Sequence, residues 1–259
     1  MIEISNLVRK FGSFEAVRNL SLQVAPGELF CFLGPNGAGK TTTIKILTGL
    51  LRPTSGTAKI CGIDIQEDPL AVKKLMGYIP DTPFLYERLT ASEFFQFTAD
   101  LYDVPQEAVP SLCEEAFKLF GIYDQRNALV KDLSHGMRQR LIYTATFLHN
   151  PRVMFIDEPL VGLDPYSIRL IKDILKAKAR AGMTIFLTTH ILAVAADIAD
   201  RIGIIYQGRL IALGTLSELL ATNRDSRNLE DLFLKLTSGD DSQLQSATSG
   251  SSHSTGGSR

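Results

Sequence analysis

The chain has 259 residues, 45 % of them hydrophobic and 21 % charged, with 27 Lys and Arg against 28 Asp and Glu for a net charge of −1. That length supports one large or two small domains with a real core, and the balanced charge excludes a basic field for non-specific nucleic-acid binding, so no nucleic-acid partner is expected. No apolar run reaches the length of a membrane span. Glu3, Asn6, Arg9 and Lys10 break up any N-terminal signal segment, so the expectation is a cytoplasmic protein whose membrane location comes from a partner. Cys31, Cys61 and Cys113 are scattered without paired spacing, which reads as three small buried hydrophobes in a reducing compartment.

In chain order, Met1 to Lys10 alternates and reads as a strand, Gly12-Ser13 turns the chain, and Ala16 to Val24 is a second strand. Pro26-Gly27 turns into the buried strand Glu28 to Leu33, and Thr42 to Gly49 reads as a helix stopped by glycine. Thr57 to Ile60 is a strand, Asp68-Pro69 starts a helix, and Gly77 to Pro80 is a short strand. Residues 82–150 then turn helical, with segments at Ala91 to Tyr102, Glu107 to Phe120 and Met137 to Leu148. They read as a helical subdomain inserted into the core. Arg152 to Ile156 is a buried strand, Tyr166 to Ala181 an amphipathic helix closed by Gly182, and Met183 to Thr188 another buried strand. Ile191 to Ala199 is a helix. Ile202 to Tyr206 and Arg209 to Leu213 form a hairpin around Gln207-Gly208, and Ser217 to Ala221 and Leu229 to Leu236 are short helices. From residue 238 the chain is Ser- and Gly-rich and expected to be a disordered tail. Alternating buried strands and helices give an α/β fold with a mostly parallel sheet over residues 1–237.

The stretch Gly34-Pro35-Asn36-Gly37-Ala38-Gly39-Lys40-Thr41-Thr42 lies between a buried strand and a helix and fits G-x-x-x-x-G-K-[ST]. Its glycines let the backbone curl N–H groups into a nest for phosphate oxygens, and the following helix adds its positive dipole end. Lys40 supplies a charge for the β- and γ-phosphates, and the Thr41 hydroxyl is placed for Mg²⁺.

Val153 to Ile156 delivers Asp157 and Glu158 at a strand's C-terminal end, where ligands bind in parallel α/β sheets. Asp157 is positioned to hold Mg²⁺, and Glu158 to take a proton from the attacking water or orient it. His190 ends the next strand and can hold the γ-phosphate and that water. Ser134 is a natural N-cap, and Gly136 lets a phosphate approach the helix start behind it. This second anion site is too like the first to serve the same nucleotide face, which suggests that a second subunit donates it. Phe11, ahead of the phosphate loop, reads either as core packing or as a stacking face for adenine.

Taken together, these motifs resemble the ATP-binding subunits of ABC transporters: Walker A (Gly34 to Thr41), the signature (Leu133 to Met137), Walker B (Val153 to Glu158), the D-loop (Pro159 to Asp164) and the H-loop (His190), in the family's order. The runs Gly77 to Asp81, Leu85 to Thr90 and Leu229 to Leu236 are most similar to the ABC-2 exporter type. The resemblance implies a P-loop NTPase core with an N-terminal antiparallel β subdomain and an inserted helical subdomain. It also implies ATP and Mg²⁺ as cofactors, a head-to-tail dimer of ATPase subunits, and a separate membrane permease contacted through Asp81 to Thr90. By position, Asp81 stands where the family usually has a Mg²⁺-contacting Gln, and His135 and Met137 replace Gly and Gln of the signature. Leu160 to Leu163 are apolar, which suits packing across that dimer. A non-transport ABC ATPase of the translation or DNA-repair type is the competing reading.

Overall fold

A computed structural model describes residues 1–158, 160, 162–223 and 226–237. The expected tail from residue 238 therefore lies outside the described residues, as do Pro159 and Val161 of the D-loop stretch.

Two sheets face each other. The first is antiparallel, ordered β2-β1-β4-β5, from β1 (Ile2–Phe11), β2 (Phe14–Val24), β4 (Ser55–Ile60) and β5 (Ile63–Asp64). The second has six strands, ordered β10-β9-β3-β8-β7-β6. It is built from β3 (Leu29–Leu33), β6 (Met76–Ile79), β7 (Val153–Asp157), β8 (Thr184–Thr189), β9 (Arg201–Tyr206) and β10 (Arg209–Gly214). All its neighbours run parallel except the β9–β10 hairpin. That hairpin turns on Gln207 and Gly208, both at positive φ, the pair a two-residue type I′ turn requires.

Alternation along the central strands divides the core. On β3, Phe30 and Phe32 join Phe155, Phe186 and the antiparallel sheet's apolar face, with α1 (Lys40–Leu47) between the sheets. Leu29, Cys31 and Leu33 point the other way, toward α6 (Pro165–Arg180) and the helices between β6 and β7. A strand buried on both faces reads as an unbroken apolar run, which is what residues 29–33 show.

Those intervening helices are α3 (Ala91–Leu101), α4 (Val109–Leu119) and α5 (His135–Phe147). Thr90 and Glu93 close a capping box on α3. The remaining helices are α2 (Pro69–Leu75), capped by Asp68, α7 (Leu192–Ile198), α8 (Leu216–Thr222) and a last helix over residues 229–237. Among the described residues, no helix is long and apolar enough to cross a membrane.

Three local expectations change. The helix behind the Gly34 to Thr41 loop starts two residues earlier than read, at Lys40, because Gly39 is the residue that breaks from helical geometry, while α5 starts at His135, directly behind the expected N-cap Ser134. Only Cys31 is fully buried; Cys61 and Cys113 are half-buried, and Cys61 sits in a turn at φ 55°. Leu160 is buried in this chain's own core, so its apolar side chain serves intramolecular packing.

Candidate functional site

The phosphate loop is built against two neighbours. Gly34 N donates to Thr189 O at 3.2 Å, and the Ala38 carbonyl accepts from Gly208 N at 2.9 Å. A Cβ on Gly34 would overlap the Ile205 carbonyl, and one on Gly39 would overlap the Ala16 carbonyl. Gly39 also takes φ 108° and forms the N-cap of α1 without a capping side chain, so the first-turn N–H groups remain available to an anion. Gly37 differs: it has φ 80°, and nothing lies within 4 Å of where its Cβ would stand. Pro35 is half-buried and Asn36 exposed beside it; Thr41 is exposed at the first turn of α1, and Thr42 is half-buried.

Lys40 is buried and donates from Nζ to the carbonyls of Gly34 (2.8 Å) and Pro35 (3.1 Å). The same Nζ stands 3.3 Å from Glu158 Oε1. Glu158 follows the last residue of β7 at φ 50°, a left-handed conformation that costs a non-glycine residue roughly 1–3 kcal/mol. Its Oε2 lies 2.9 Å from His190 Nδ1 and accepts from His190 N at 3.3 Å. Glu158 therefore bridges Lys40 and His190.

Asp157 is 1 % exposed. Its Oδ1 accepts a hydrogen bond from the Thr188 hydroxyl, while Oδ2 is buried with no partner among the described residues. A buried carboxylate oxygen left open is costly unless a cation or ordered water meets it. That donor set, with the exposed Thr41 hydroxyl near the loop, fits a hard divalent ion. Asp81 is exposed just beyond β6. Burial, with the charges of Asp157 and Asp81, pushes the Tyr78 phenol up to about 12.

At the start of α5, Ser134 Oγ accepts from Met137 N at 3.3 Å, the N-cap bond the sequence suggested. Gly136 has a further reason to be glycine. A Cβ there would lie 2.9 Å from Asp164 Oδ2 and 3.1 Å from Ser167 Oγ. Asp164 caps α6, accepting from Ser167 N at 2.9 Å and from the Ser167 hydroxyl at 2.6 Å, and those bonds hold its carboxyl below the ordinary range. His135 is exposed and lies against Gly162.

Phe11 is 47 % exposed at the turn end of the β1–β2 hairpin. It pairs with Phe14, two residues before the Ala16 whose carbonyl abuts Gly39. Sequence reasoning missed three participants: Thr188 on Asp157, Arg9 over Phe11, and the buried Arg140, which donates to the carbonyls of Phe120 and Gly121. Arg9 carried a readable signal, since it stands two residues from Phe11 on one strand and therefore on the same face.

The "ABC transporter" family model matches residues 17–161, more than half of the chain. Among curated proteins, a similar one is the probable multidrug ABC transporter ATP-binding protein YbhF of Escherichia coli, 34 % identical over 91 % of this chain. The chain spans 41 % of that relative's length. A solved ATP-binding subunit of an ABC transporter superimposes with a TM-score of 0.85 at 30 % identity, covering 91 % of this chain and 99 % of the other. A dimeric, post-hydrolysis structure of the ATP-binding cassette MJ0796 with ADP and Pi gives 0.76 at 25 % identity, covering 83 % and 99 %. With its motifs in the family's order on the family's fold, the chain belongs to the ABC transporter family, as an ATP-binding cassette.

Proposed function

We propose that this chain is the ATP-hydrolysing subunit that energises an exporter-type ABC transporter. In this reading it lies on the cytoplasmic face of a membrane, against an integral permease subunit on a separate chain. The observation that carries the reading is Glu158 Oε1 at 3.3 Å from Lys40 Nζ, with Oε2 at 2.9 Å from His190: one carboxylate joins the phosphate-loop cation to the H-loop histidine.

ATP entering the loop takes Lys40 onto its β- and γ-phosphates, with the nest from Gly34 to Thr42 and the start of α1 cradling the oxygens. Glu158, released from the lysine, accepts the proton of the attacking water, and His190 holds the γ-phosphate side of that water. Mg²⁺, where bound, would be held by Thr41 and Asp157, with Asp81 as a further contact, and would neutralise charge on the phosphates. Phe11 stacks the adenine. Ser134 and Gly136 serve the nucleotide of a second copy, so that two subunits close over two ATP molecules. The dimeric relative supports that arrangement.

Coupling to the permease belongs to the loop from Asp81 to Thr90 and the helices within residues 82–150. Phe84 is 84 % exposed and packs edge-on against Tyr86, which packs edge-on against Phe97. A groove of about 860 Å³ lies beside them, lined also by Arg138 and Gln139. Leu85 instead packs into the core. Exposed aromatics around a groove are where a partner's helix docks.

The test is Mg²⁺-dependent ATP hydrolysis measured against protein concentration. Turnover rising more steeply than linearly supports shared sites. Linear, full activity at high dilution overturns the dimer. Co-purification with ribosomes or DNA in place of a polytopic membrane protein overturns the transporter reading.

A further inference from the structure

The guanidinium carbon of Arg9 sits 4.5 Å from the centroid of the Phe11 ring. Arg9 is not held there by a countercharge, since no ion pair to it occurs among the described residues. Its Nη1 donates to the Arg52 carbonyl at 2.8 Å, and its Nε is buried with no acceptor among the described residues. Two bonds tie the Arg52 loop to β1: Lys10 N donates to Thr54 Oγ1 at 2.9 Å, and Thr54 N to Val8 O at 2.7 Å. A strand-end arginine on the surface would normally extend its five donors into water. Here it lies over an aromatic ring, with one donor spent on a loop and another left without a partner.

We propose that Arg9 is the back plate of the base-stacking platform. It occupies one face of Phe11 and fixes the ring before nucleotide arrives, leaving the opposite face, at the end of the hairpin joined to Gly39, for the purine of a nucleoside triphosphate. This rests on the reading of Phe11 as the adenine-stacking residue. Arg9 is then a positioning residue, acting on the base through Phe11. A planar cation over one face of a ring is held by the ring's quadrupole, and a base stacks on the free face. Ordering the ring in advance lowers what binding must otherwise spend on ordering it. The contribution is specific to the base, because the phosphates are bound elsewhere, by the loop and Lys40.

The experiment compares calorimetric binding of Mg²⁺-ATP and of Mg²⁺-tripolyphosphate, which has no base, to the full chain and to its Arg9→Ala, Arg9→Lys and Phe11→Ala variants. Tripolyphosphate affinity also reports whether the phosphate loop has kept its shape. Arg9→Ala and Phe11→Ala are each expected to weaken ATP about three- to tenfold and leave tripolyphosphate unchanged. Arg9→Lys, which keeps the charge and loses the planar group, falls between. If Phe11→Ala weakens ATP and Arg9→Ala does not, the back plate is wrong and the stacking residue stands. If Phe11→Ala leaves ATP unchanged, the stacking reading fails and takes this inference with it. Equal weakening of both ligands by Arg9→Ala assigns Arg9 to the fold or to general charge, and overturns the proposal.

Discussion

Lys40 Nζ stands 3.3 Å from Glu158 Oε1, and both side chains are at most 10 % exposed. In the proposed function, the group that binds phosphate thus neutralises the group that activates water. Removing one partner of a buried pair strands the other's charge, at about 3 kcal/mol or more. Lys40→Ala should therefore lower the melting temperature by on the order of 5–10 °C even without nucleotide, and Lys40→Ala with Glu158→Gln should recover part of it. Thermal melts of the two variants check this; equal melting points would show that the pair does not act as one.

Glu158→Gln removes the proton acceptor while keeping shape. Turnover should fall by about 10²–10⁴, while ATP binding is retained or tightened because Lys40 is released. Phosphate release beside a nucleotide titration separates the two effects, and near-normal turnover would remove Glu158 as base.

Thr188→Val takes away the hydroxyl that donates to Asp157 Oδ1. The cost should be about 1–3 kcal/mol in the metal-free protein. Mg²⁺ with nucleotide should restore more stability to the variant than to the parent. Melts with and without Mg²⁺-nucleotide read it.

Two glycines of one loop should behave differently. Gly39→Ala places a Cβ into the Ala16 carbonyl at φ 108° and should cost at least ~3 kcal/mol. Gly37→Ala meets open space at φ 80° and should cost about 1 kcal/mol, from backbone strain alone. Chemical denaturation of both variants measures the contrast.

His149 gives a pH dependence. Burial lowers its pKa, although its ring bonds to the Met76 carbonyl and stacks on Tyr102 at 3.7 Å. A histidine whose folded pKa lies below its unfolded value of about 6.5 takes up its proton more readily when unfolded. Its contribution to stability is thus complete above that pH and lost as pH falls below it. Melting temperature should drop between pH 7.5 and 5.5, with a shallower slope in His149→Phe, which keeps the stack.

Much of the site was legible because its chemistry is local in sequence. The loop from Gly34 to Thr42, the acids at the end of β7 and the N-cap Ser134 each announce themselves within a few residues, since turn geometry and strand ends are set by neighbours. What stayed hidden depends on pairings that only the folded sheet makes. Thr188 meets Asp157 because β7 and β8 are adjacent and in register at that pair. Gly39 needs to be glycine because Ala16, far back on β2, comes to rest on it. Cys61 gives no hint, by residue type, of the left-handed turn it occupies.

Asp164 is held in common by two helices: its carboxylate caps α6, and the bare Cα of Gly136 in α5 rests against it. A larger residue at position 136 would displace the Asp164 carboxylate and the Ser167 hydroxyl that together cap α6. The contact works in compression only: a movement of Gly136 toward α6 presses directly on the cap of the neighbouring helix, whereas a movement away from it meets no tether at Asp164.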